Sequence, residues 1–232
     1  NMRAVYGNEP PEQITERVKR ALDAIIGNGY AVLYLTAQQI VAQSIKDGYL
    51  VGSRGSVGSS LVAHLLEITE VNPMPPHLVC PYCHHCCFSE DPSITSGYDL
   101  PDSFCPQCGK KMRKHGQTIP FETFMGLKGN KVPDIDLNFS GEYQSKAHRF
   151  IEELFGAEHV FRAGTISTLA EKTAFGYVLR YEEATGVSLG EAEKERLAKS
   201  IAGVKRTTGQ HPGGLMIVPK NYEVYDFTPV QH

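Results

Sequence analysis

Two Cys-x-x-Cys pairs constrain the fold of this 232-residue chain more than any other feature. The first pair is Cys80 and Cys83, and the second, Cys105 and Cys108, follows a little over twenty residues later. This spacing allows four thiolates to surround one zinc ion tetrahedrally, so the segment between the pairs must fold back on itself. Zinc with four protein ligands keeps no open position, so the pattern predicts a structural ion and not a catalytic one. A pair of disulfides is the alternative, which is uncommon in an intracellular chain.

Further potential metal ligands lie on the loop between the two pairs. They are His84, His85, Cys86 and Cys87. Because four thiolates already complete a tetrahedral zinc site, we expect these four side chains to be loop residues and not ligands.

A later octapeptide, Val-Pro-Asp-Ile-Asp-Leu-Asn-Phe, alternates apolar and polar side chains as a strand does. Ile135, Leu137 and Phe139 can face a core, which leaves Asp134, Asp136 and Asn138 on the other face. Carboxylates two positions apart stand roughly 6.5–7 Å apart at the backbone, close enough to hold two divalent metal ions about 3.5–4 Å apart. The alternative is an edge strand with a solvated acidic face.

A glycine- and serine-rich loop runs from Gly52 to Ser60 and precedes an apolar helical pattern from Leu61 to Ile68. Glycines let backbone amides converge, serines add hydroxyl donors, and a helix start adds the positive end of its dipole. We therefore predict a phosphate-binding loop that contains Arg54. It is not a P-loop, because no Gly-Lys-Ser/Thr follows, and a plain turn is the alternative.

Hydrophobic periodicity predicts a mixed α/β (α+β) chain. The predicted helices are Pro11–Gly27, Thr36–Asp47, Glu142–Phe155, Leu169–Tyr181 and Gly190–Ile201, and the predicted short strands are Ala31–Leu35, Val160–Arg162 and Leu215–Val218. The stretch from Lys205 to Gly214 combines cations, threonines, a histidine and glycines before the last strand. It is predicted to be a second anion-binding loop, with a basic-rimmed hairpin turn as the alternative.

Composition limits the class of protein. A hydrophobic content of 41% and a charged content of 21% describe a globular chain with its own core. No apolar run reaches the ~18–20 residues that span a bilayer, and no signal peptide is present, so we expect an intracellular protein without membrane contact. A net charge of −3 argues against a free-standing, tight nucleic-acid binder. Four residues nevertheless form a basic cluster: Lys110, Lys111, Arg113 and Lys114.

Four long motifs together resemble a known family. They are Gly-Ser-Arg-Gly-Ser-Val-Gly-Ser-Ser, Val-Pro-Asp-Ile-Asp-Leu-Asn-Phe-Ser-Gly-Glu-Tyr-Gln, Ala-Gly-Thr-Ile-Ser-Thr-Leu-Ala-Glu-Lys-Thr-Ala and Lys-Arg-Thr-Thr-Gly-Gln-His-Pro-Gly-Gly, with the cysteine pairs between the first two. In this order they resemble the palm of C-family replicative DNA polymerases, in the PolC form of the bacterial DNA polymerase III alpha subunit. The resemblance covers about Tyr6 to Gln231.

The resemblance implies a polymerase-beta-like nucleotidyltransferase palm with an inserted four-cysteine zinc-binding subdomain and a small helical thumb. The implied boundaries are 1–78 for the first part of the palm, 79–117 for the zinc-binding insert, 118–165 for the palm with the Asp-x-Asp strand, 166–204 for the thumb and 205–232 for the last part of the palm. The implied activity is template-directed deoxynucleotidyl transfer in the bacterial cytoplasm, with primer–template DNA, deoxynucleoside triphosphates and other replisome subunits as partners.

The resemblance also implies roles for individual residues. Asp134 and Asp136 match two of three metal-binding aspartates, which hold two magnesium ions in addition to the one structural zinc ion. The triphosphate-binding positions match Arg54, Gly55, Ser56, Gly58 and Ser59, together with Lys205, Arg206 and His211 of a basic loop. The third aspartate of the family lies beyond His232, since Asp226 has a different context. We therefore expect this segment alone to bind metal weakly and not to polymerise.

Two other functions are compatible with parts of the pattern. A zinc-ribbon module that binds nucleic acid or a partner protein would use the cysteine insert and its basic cluster, but it leaves the Asp-x-Asp strand unexplained. A metal-dependent phosphohydrolase would use the paired carboxylates, but such sites usually include several histidine ligands, and His148 is the nearest histidine.

Overall fold

The computed structural model describes residues 1–231 and divides the chain into two compact units, Asn1–Ala147 and His148–His232. The last residue of the predicted 205–232 segment, His232, lies outside the described residues. The helices are α1 (Met2–Tyr6), α2 (Glu12–Gly27), α3 (Ala31–Lys46), α4 (Leu61–Leu65), α5 (Glu122–Met125), α6 (Gln144–Phe155), α7 (Glu171–Thr185) and α8 (Glu191–Ile201). The strands are β1 (Gly52–Arg54), β2 (His77–Val79), β3 (Cys86–Phe88), β4 (Arg113–His115), β5 (Asp136–Asn138), β6 (Val160–Thr168) and β7 (Lys205–Ile217).

The strands form three small antiparallel sheets, with strand orders β1-β5, β3-β2-β4 and β6-β7. Runs of helices, such as α1 to α3, and of strands, such as β2 to β4, follow one another along the chain, and the sheets are small and antiparallel, so the α+β class predicted from the sequence is confirmed. No helix within residues 1–231 has the length and hydropathy that crossing a bilayer requires.

The core of the first unit lies between α2, α3, α5 and the turn that follows β1. Ala21 and Ile25 of α2 contribute to this core, since they lie one helical turn apart. Val57 from the glycine-serine loop is completely buried in the same cluster. The second half of this loop is therefore held by the hydrophobic core.

The predicted strand at 31–35 is wrong, because these residues begin helix α3. Tyr34, Ala37 and Val41 are buried at helical spacing, whereas Val32 and Leu35 are exposed. A short apolar run does not distinguish a strand from a helix, and here the register of the buried residues follows the 3.6-residue period. The helix predicted to begin at Thr36 therefore begins at Ala31.

The cysteine-rich insert is built on the three-stranded sheet β3-β2-β4. Backbone hydrogen bonds close its base, from the N–H of Gln117 to the carbonyl of Met74 and from the N–H of Ile119 to the carbonyl of Pro73, both at 2.9 Å. The insert therefore leaves and rejoins the first unit at a hydrogen-bonded neck.

Buried His77 anchors this neck. The Pro75 carbonyl lies 2.7 Å from Nδ1, so Nδ1 donates its hydrogen, and Nε2 then accepts the Tyr6 hydroxyl at 3.1 Å. The Asn72 amide donates to the Tyr6 oxygen at 2.8 Å. This chain of bonds requires a neutral imidazole, and burial lowers the pKa of His77 to about 4.

In the second unit, strands β6 and β7 form a long antiparallel pair, and helices α7 and α8 lie between them in sequence. The helices pack through Ala174, Val178 and Ala198. Lys194 on α8 forms an ion pair with Glu182 on α7 at 3.0 Å. The predicted helices at 169–181 and 190–201 are both present with shifted ends.

The prediction of a loop at 205–214 is wrong for residues 205–210, because strand β7 begins at Lys205 and these residues pair with β6. Arg162 pairs with Leu215 and Gly164 pairs with Gln210, so the four residues 211–214 oppose the single residue Ala163. This stretch is a wide bulge within the strand. Glycine and proline indicated a break in regular structure, and pairing with β6 confined that break to the bulge.

Candidate functional site

The four cysteines of the two pairs converge in the insert. The Sγ atoms of Cys80 and Cys108 lie 3.4 Å apart, as do those of Cys83 and Cys105, and all four lie within 4.8 Å of one another. Zinc–sulfur bonds of about 2.3 Å place the corners of a tetrahedron roughly 3.8 Å apart, so this donor set fits one zinc ion. All six cysteines are free thiols, which excludes the disulfide alternative in this structure. Within residues 1–231, these four cysteines are the only group of three or more potential metal ligands. The group does not include the four potential ligands on the loop between the pairs, His84, His85, Cys86 and Cys87, nor does it include His148.

The two cysteine pairs have matching backbone geometry. In each pair the carbonyl of the first cysteine accepts a hydrogen bond from the residue after the second cysteine, at 3.0 Å for His84 and 2.8 Å for Gly109. Both of these residues are left-handed, with φ of 61° for His84 and 70° for Gly109. Glycine adopts this conformation at no steric cost, whereas histidine does not. His84 is held there by its ring, whose Nδ1 lies 3.0 Å from the Val5 carbonyl.

Backbone hydrogen bonds also favour thiolate character. Burial raises the pKa of Cys80, but the N–H groups of Cys83 and Tyr82 donate to its sulfur, and the balance lowers the pKa to about 6. Because zinc binds the thiolate and not the thiol, these N–H donors favour the metal-binding form of Cys80. At Cys83 the backbone N–H of His85 also lowers the pKa, but burial and hydrogen bonds with the other sulfurs raise it to about 12.

The glycine-serine loop and the acidic segment meet at the β1-β5 sheet. In its register Arg54 faces Asp136 and Gly52 faces Asn138. The Nε atom of Arg54 lies 3.9 Å from Oδ2 of Asp136. Gly55 is left-handed with φ of 74°, and a β-carbon placed there would lie 3.6 Å from the same Oδ2 atom. A carboxylate and a glycine-rich turn that are about eighty residues apart in sequence are therefore neighbours.

The predicted alternation of the acidic segment agrees with the structure for Ile135 and Leu137, whereas Phe139 is outside their core cluster and its ring stacks on Tyr143. Ile135 and Leu137 pack against the core of the first unit, while Asp136 is half-buried and Asn138 is exposed. Asp134 is also exposed and lies just before strand β5. Both carboxylates can therefore be reached from solvent.

The two ends of the glycine-serine loop differ in solvent exposure. Arg54 and Gly55 are exposed and Ser56 is half-buried. Gly58 and Ser59 are buried, and the Ser59 hydroxyl donates to the Ser56 carbonyl at 2.9 Å. The first three residues are thus available to a ligand, whereas the last two shape the turn.

The helix predicted at 61–68 is only five residues long and begins after a 3-10 turn, Gly55–Ser59. The Ser60 hydroxyl caps it by accepting from the N–H of Ala63 at 3.2 Å, and Leu61 is fully buried. The Ser60 hydroxyl therefore satisfies one of the N–H groups at this helix start, and the contribution of the helix dipole to phosphate binding stays a prediction.

Arg17 is a residue of this site that the sequence interpretation missed. Its Nη2 donates to the carbonyls of Ser59 and Ile119, both at 3.0 Å, so it joins α2 to the end of the loop and to the segment after the insert. Burial lowers its pKa. Arg17 lies one helical turn after Ile14 and before Ala21, so a cation on the buried face of a predicted amphipathic helix was the available signal.

The remaining predicted site residues, Lys205, Arg206 and His211, lie on β7 of the second unit, whereas all the others belong to the first unit. All three are exposed. The His211 ring accepts hydrogen bonds from the N–H groups of Gly213 and Gly214, at 3.2 and 2.7 Å, and so closes the bulge.

Comparison with known proteins identifies the family. Residues 1–190 and 181–232 match the family described as the bacterial DNA polymerase III alpha NTPase domain. The chain is 66% identical over 228 residues to the DNA polymerase III PolC-type of Thermotoga petrophila, covering 98% of this chain and 17% of that protein. It is 58% identical over 229 residues to the DNA polymerase III PolC-type of Bacillus subtilis, covering 99% of this chain and 16% of that protein. The chain spans about one sixth of the length of these relatives. It therefore belongs to the bacterial DNA polymerase III alpha family, as a segment of the PolC type.

Proposed function

We propose that this chain forms part of a polymerase-beta-like palm that carries out template-directed deoxynucleotidyl transfer. One observation carries the proposal: the register of β1 and β5 places Arg54 and Gly55 beside Asp136. A phosphate-binding turn next to a metal-binding carboxylate is what a nucleotidyl transfer site requires. Membership of a DNA polymerase family supports this assignment.

In this proposal Asp134 and Asp136 hold two magnesium ions. Their oxygens are hard ligands that suit magnesium, and both side chains are accessible to solvent. Bound magnesium would lower the pKa of the primer 3′-hydroxyl and neutralise the triphosphate and the departing pyrophosphate. Arg54, Gly55 and Ser56 would contact the triphosphate directly, whereas buried Gly58 and Ser59 keep the turn in shape. By the same family resemblance, Lys205 and Arg206 would supply further cations and His211 a further polar contact to the triphosphate.

The cysteine cluster would hold one structural zinc ion, and helices α7 and α8 would correspond to the thumb. Primer–template DNA, deoxynucleoside triphosphates and other replisome subunits would be the partners, and the bacterial cytoplasm the location. Because the chain spans about one sixth of its relatives, we expect it to need the rest of the polymerase for activity. Processive primer extension by the 232 residues alone would contradict that expectation.

The test uses the full polymerase that contains this segment, with its exonuclease inactivated. Asp134→Asn and Asp136→Asn should each reduce primer extension by about 10²–10³-fold or more, as loss of one electrostatic contact to a transition state does. Asp23→Asn, on the exposed face of α2, is the matched control and should retain normal extension. Zinc content should not change in any of the three variants. Normal extension by Asp136→Asn would overturn the proposed site.

A further inference from the structure

The cysteine-bearing part of the zinc-binding insert carries two large aromatic side chains that face solvent. Tyr82 is 68% exposed and Phe104 is 70% exposed. Tyr82 is the third residue of the first Cys-x-x-Cys pair, and Phe104 directly precedes the second pair. Neither ring contributes to a core cluster of the described chain, so packing within it does not explain them.

The fold holds the two aromatic residues around one lysine. The Nζ atom of Lys110 lies 5.7 Å from the centre of the Tyr82 ring. The Lys110 carbonyl accepts the N–H of Cys105 at 2.8 Å, and Phe104 forms a backbone bridge with Lys111. The cysteine cluster therefore fixes the positions of Tyr82, Phe104 and Lys110, which we call the tip patch.

The charges near the tip patch leave Lys110 available. Lys111 and Lys114 both bind the Asp102 carboxylate at 2.8 Å, and their hydrogen bonds lower its pKa to about 2. Lys110 has no carboxylate within 4.0 Å in the part of the chain that the structure describes. Its charge is therefore free to pair with an external anion.

We propose that the tip patch binds single-stranded nucleic acid, with bases stacked on Tyr82 and Phe104 and a backbone phosphate at Lys110. Exposed aromatic faces beside a cation bind single strands without sequence preference, because every base offers a π-face. A duplex hides its base faces, so the patch favours a single strand. The proposal does not depend on the polymerase site, because no residue of the tip patch belongs to it.

The experiment measures binding of fluorescein-labelled oligothymidine to the zinc-loaded 232-residue chain by fluorescence anisotropy in about 50–200 mM salt. Tyr82→Ala and Phe104→Ala should each weaken binding about tenfold. Tyr98→Ala is the matched control: Tyr98 is 79% exposed in the same insert, next to Gly97, which bonds to Gly116 near the neck. Its affinity should equal that of the unchanged chain. Lys110→Gln should reduce the slope of log affinity against log salt by about 0.7.

Several outcomes would overturn the proposal: no binding of the oligonucleotide, equal losses for Tyr98→Ala and Tyr82→Ala, or equal competition by a duplex of the same length. Absence of binding would point to a protein partner for the tip patch. Zinc content is measured for every variant, because a variant that loses zinc has lost the insert. In that case Tyr82→Phe and Phe104→Tyr are measured instead, because both keep a ring on which a base can stack. Retained affinity in these two variants, together with a reduced salt slope for Lys110→Gln, supports the proposal. Lost affinity in a variant that still binds zinc contradicts it.

Discussion

Arg54 and Asp136 face each other across the β1-β5 sheet, with Nε and Oδ2 3.9 Å apart. The separation is too long for a hydrogen bond, and the Arg54 side chain is largely exposed while that of Asp136 is half-buried. Exposed pairs of this kind contribute about 0–1 kcal/mol to stability. The pair therefore has little structural value, which leaves the Arg54 guanidinium and the Asp136 carboxylate free to bind phosphate and metal.

Arg54→Ala should raise the KM for deoxynucleoside triphosphates about tenfold in the full polymerase, since about 1.4 kcal/mol of charge-assisted binding is lost. The free energy of unfolding should change by less than about 0.5 kcal/mol. Steady-state primer extension and urea unfolding measure the two quantities. Lys19→Ala, an exposed cation on α2, should alter neither. An unchanged KM for Arg54→Ala would remove this residue from the proposed site.

The chain should bind one zinc ion through its four cysteines, as measured by inductively coupled plasma mass spectrometry. Replacing Cys80 and Cys105 with serine should abolish zinc binding and unfold the insert, because the metal contributes its binding free energy to folding. Cys87→Ser is the matched control, since Cys87 is exposed on β3 and lies outside the cluster. A zinc-free chain with the same circular dichroism as the metal-loaded chain would contradict a structural zinc site.

Arg17→Met should destabilise the first unit by about 1–3 kcal/mol, because the carbonyls of Ser59 and Ile119 lose their donor. The same change should raise the KM for the nucleotide in the full polymerase, since the glycine-serine loop loses its anchor. Arg20→Met is the control. The guanidinium groups of Arg17 and Arg20 both lie over the Phe121 ring, but that of Arg20 is exposed and paired with Glu122, so its loss should cost less than about 1 kcal/mol. Equal losses of stability would argue against a specific role for Arg17.

Acid should destabilise the first unit between about pH 6.5 and pH 4. Burial lowers the pKa of both His77 and His115 to about 4, and the neighbouring His77 also lowers that of His115. Below about pH 6.5 the histidines of the unfolded chain bind protons that those of the folded chain do not. The free energy of unfolding therefore decreases as the pH is lowered, until the pH reaches the pKa of about 4 that these histidines have in the folded chain.

The rings of His115 and His77 are stacked, with their centres 5.6 Å apart. His115→Phe keeps an aromatic ring at this position but removes one titrating group. Urea unfolding at about pH 7.5, 6.0 and 5.0 should therefore show a shallower pH dependence for this variant. Protonation of the zinc ligands affects both proteins, so the difference in slope isolates the histidine. His211→Gln, a change at an exposed histidine, should keep the original slope. Identical slopes for His115→Phe and the unchanged chain would refute the assignment.

Sequence patterns were sufficient where the structure is local. The helix at Glu12–Gly27 follows from its apolar periodicity, and the cysteine cluster follows from two short spacings. The inward-facing Ile135 and Leu137 follow from strict alternation. For the helix and the strand, neighbours in sequence determine the outcome, since their periods act over a few residues. For the cysteines, the need of one zinc ion for four ligands joins the two pairs.

Tertiary structure decided the remainder. The five apolar residues at 31–35 became helical because the core accepts Tyr34 and Ala37 at helical spacing. The residues from Lys205 onward became a strand because β6, far away in sequence, satisfies their backbone groups. The contact between Arg54 and Asp136 and the anchor at Arg17 also join distant segments. A sequence by itself determines which side chains are available and how each short segment prefers to fold. The register between distant segments depends on packing and hydrogen bonding that only the folded chain provides.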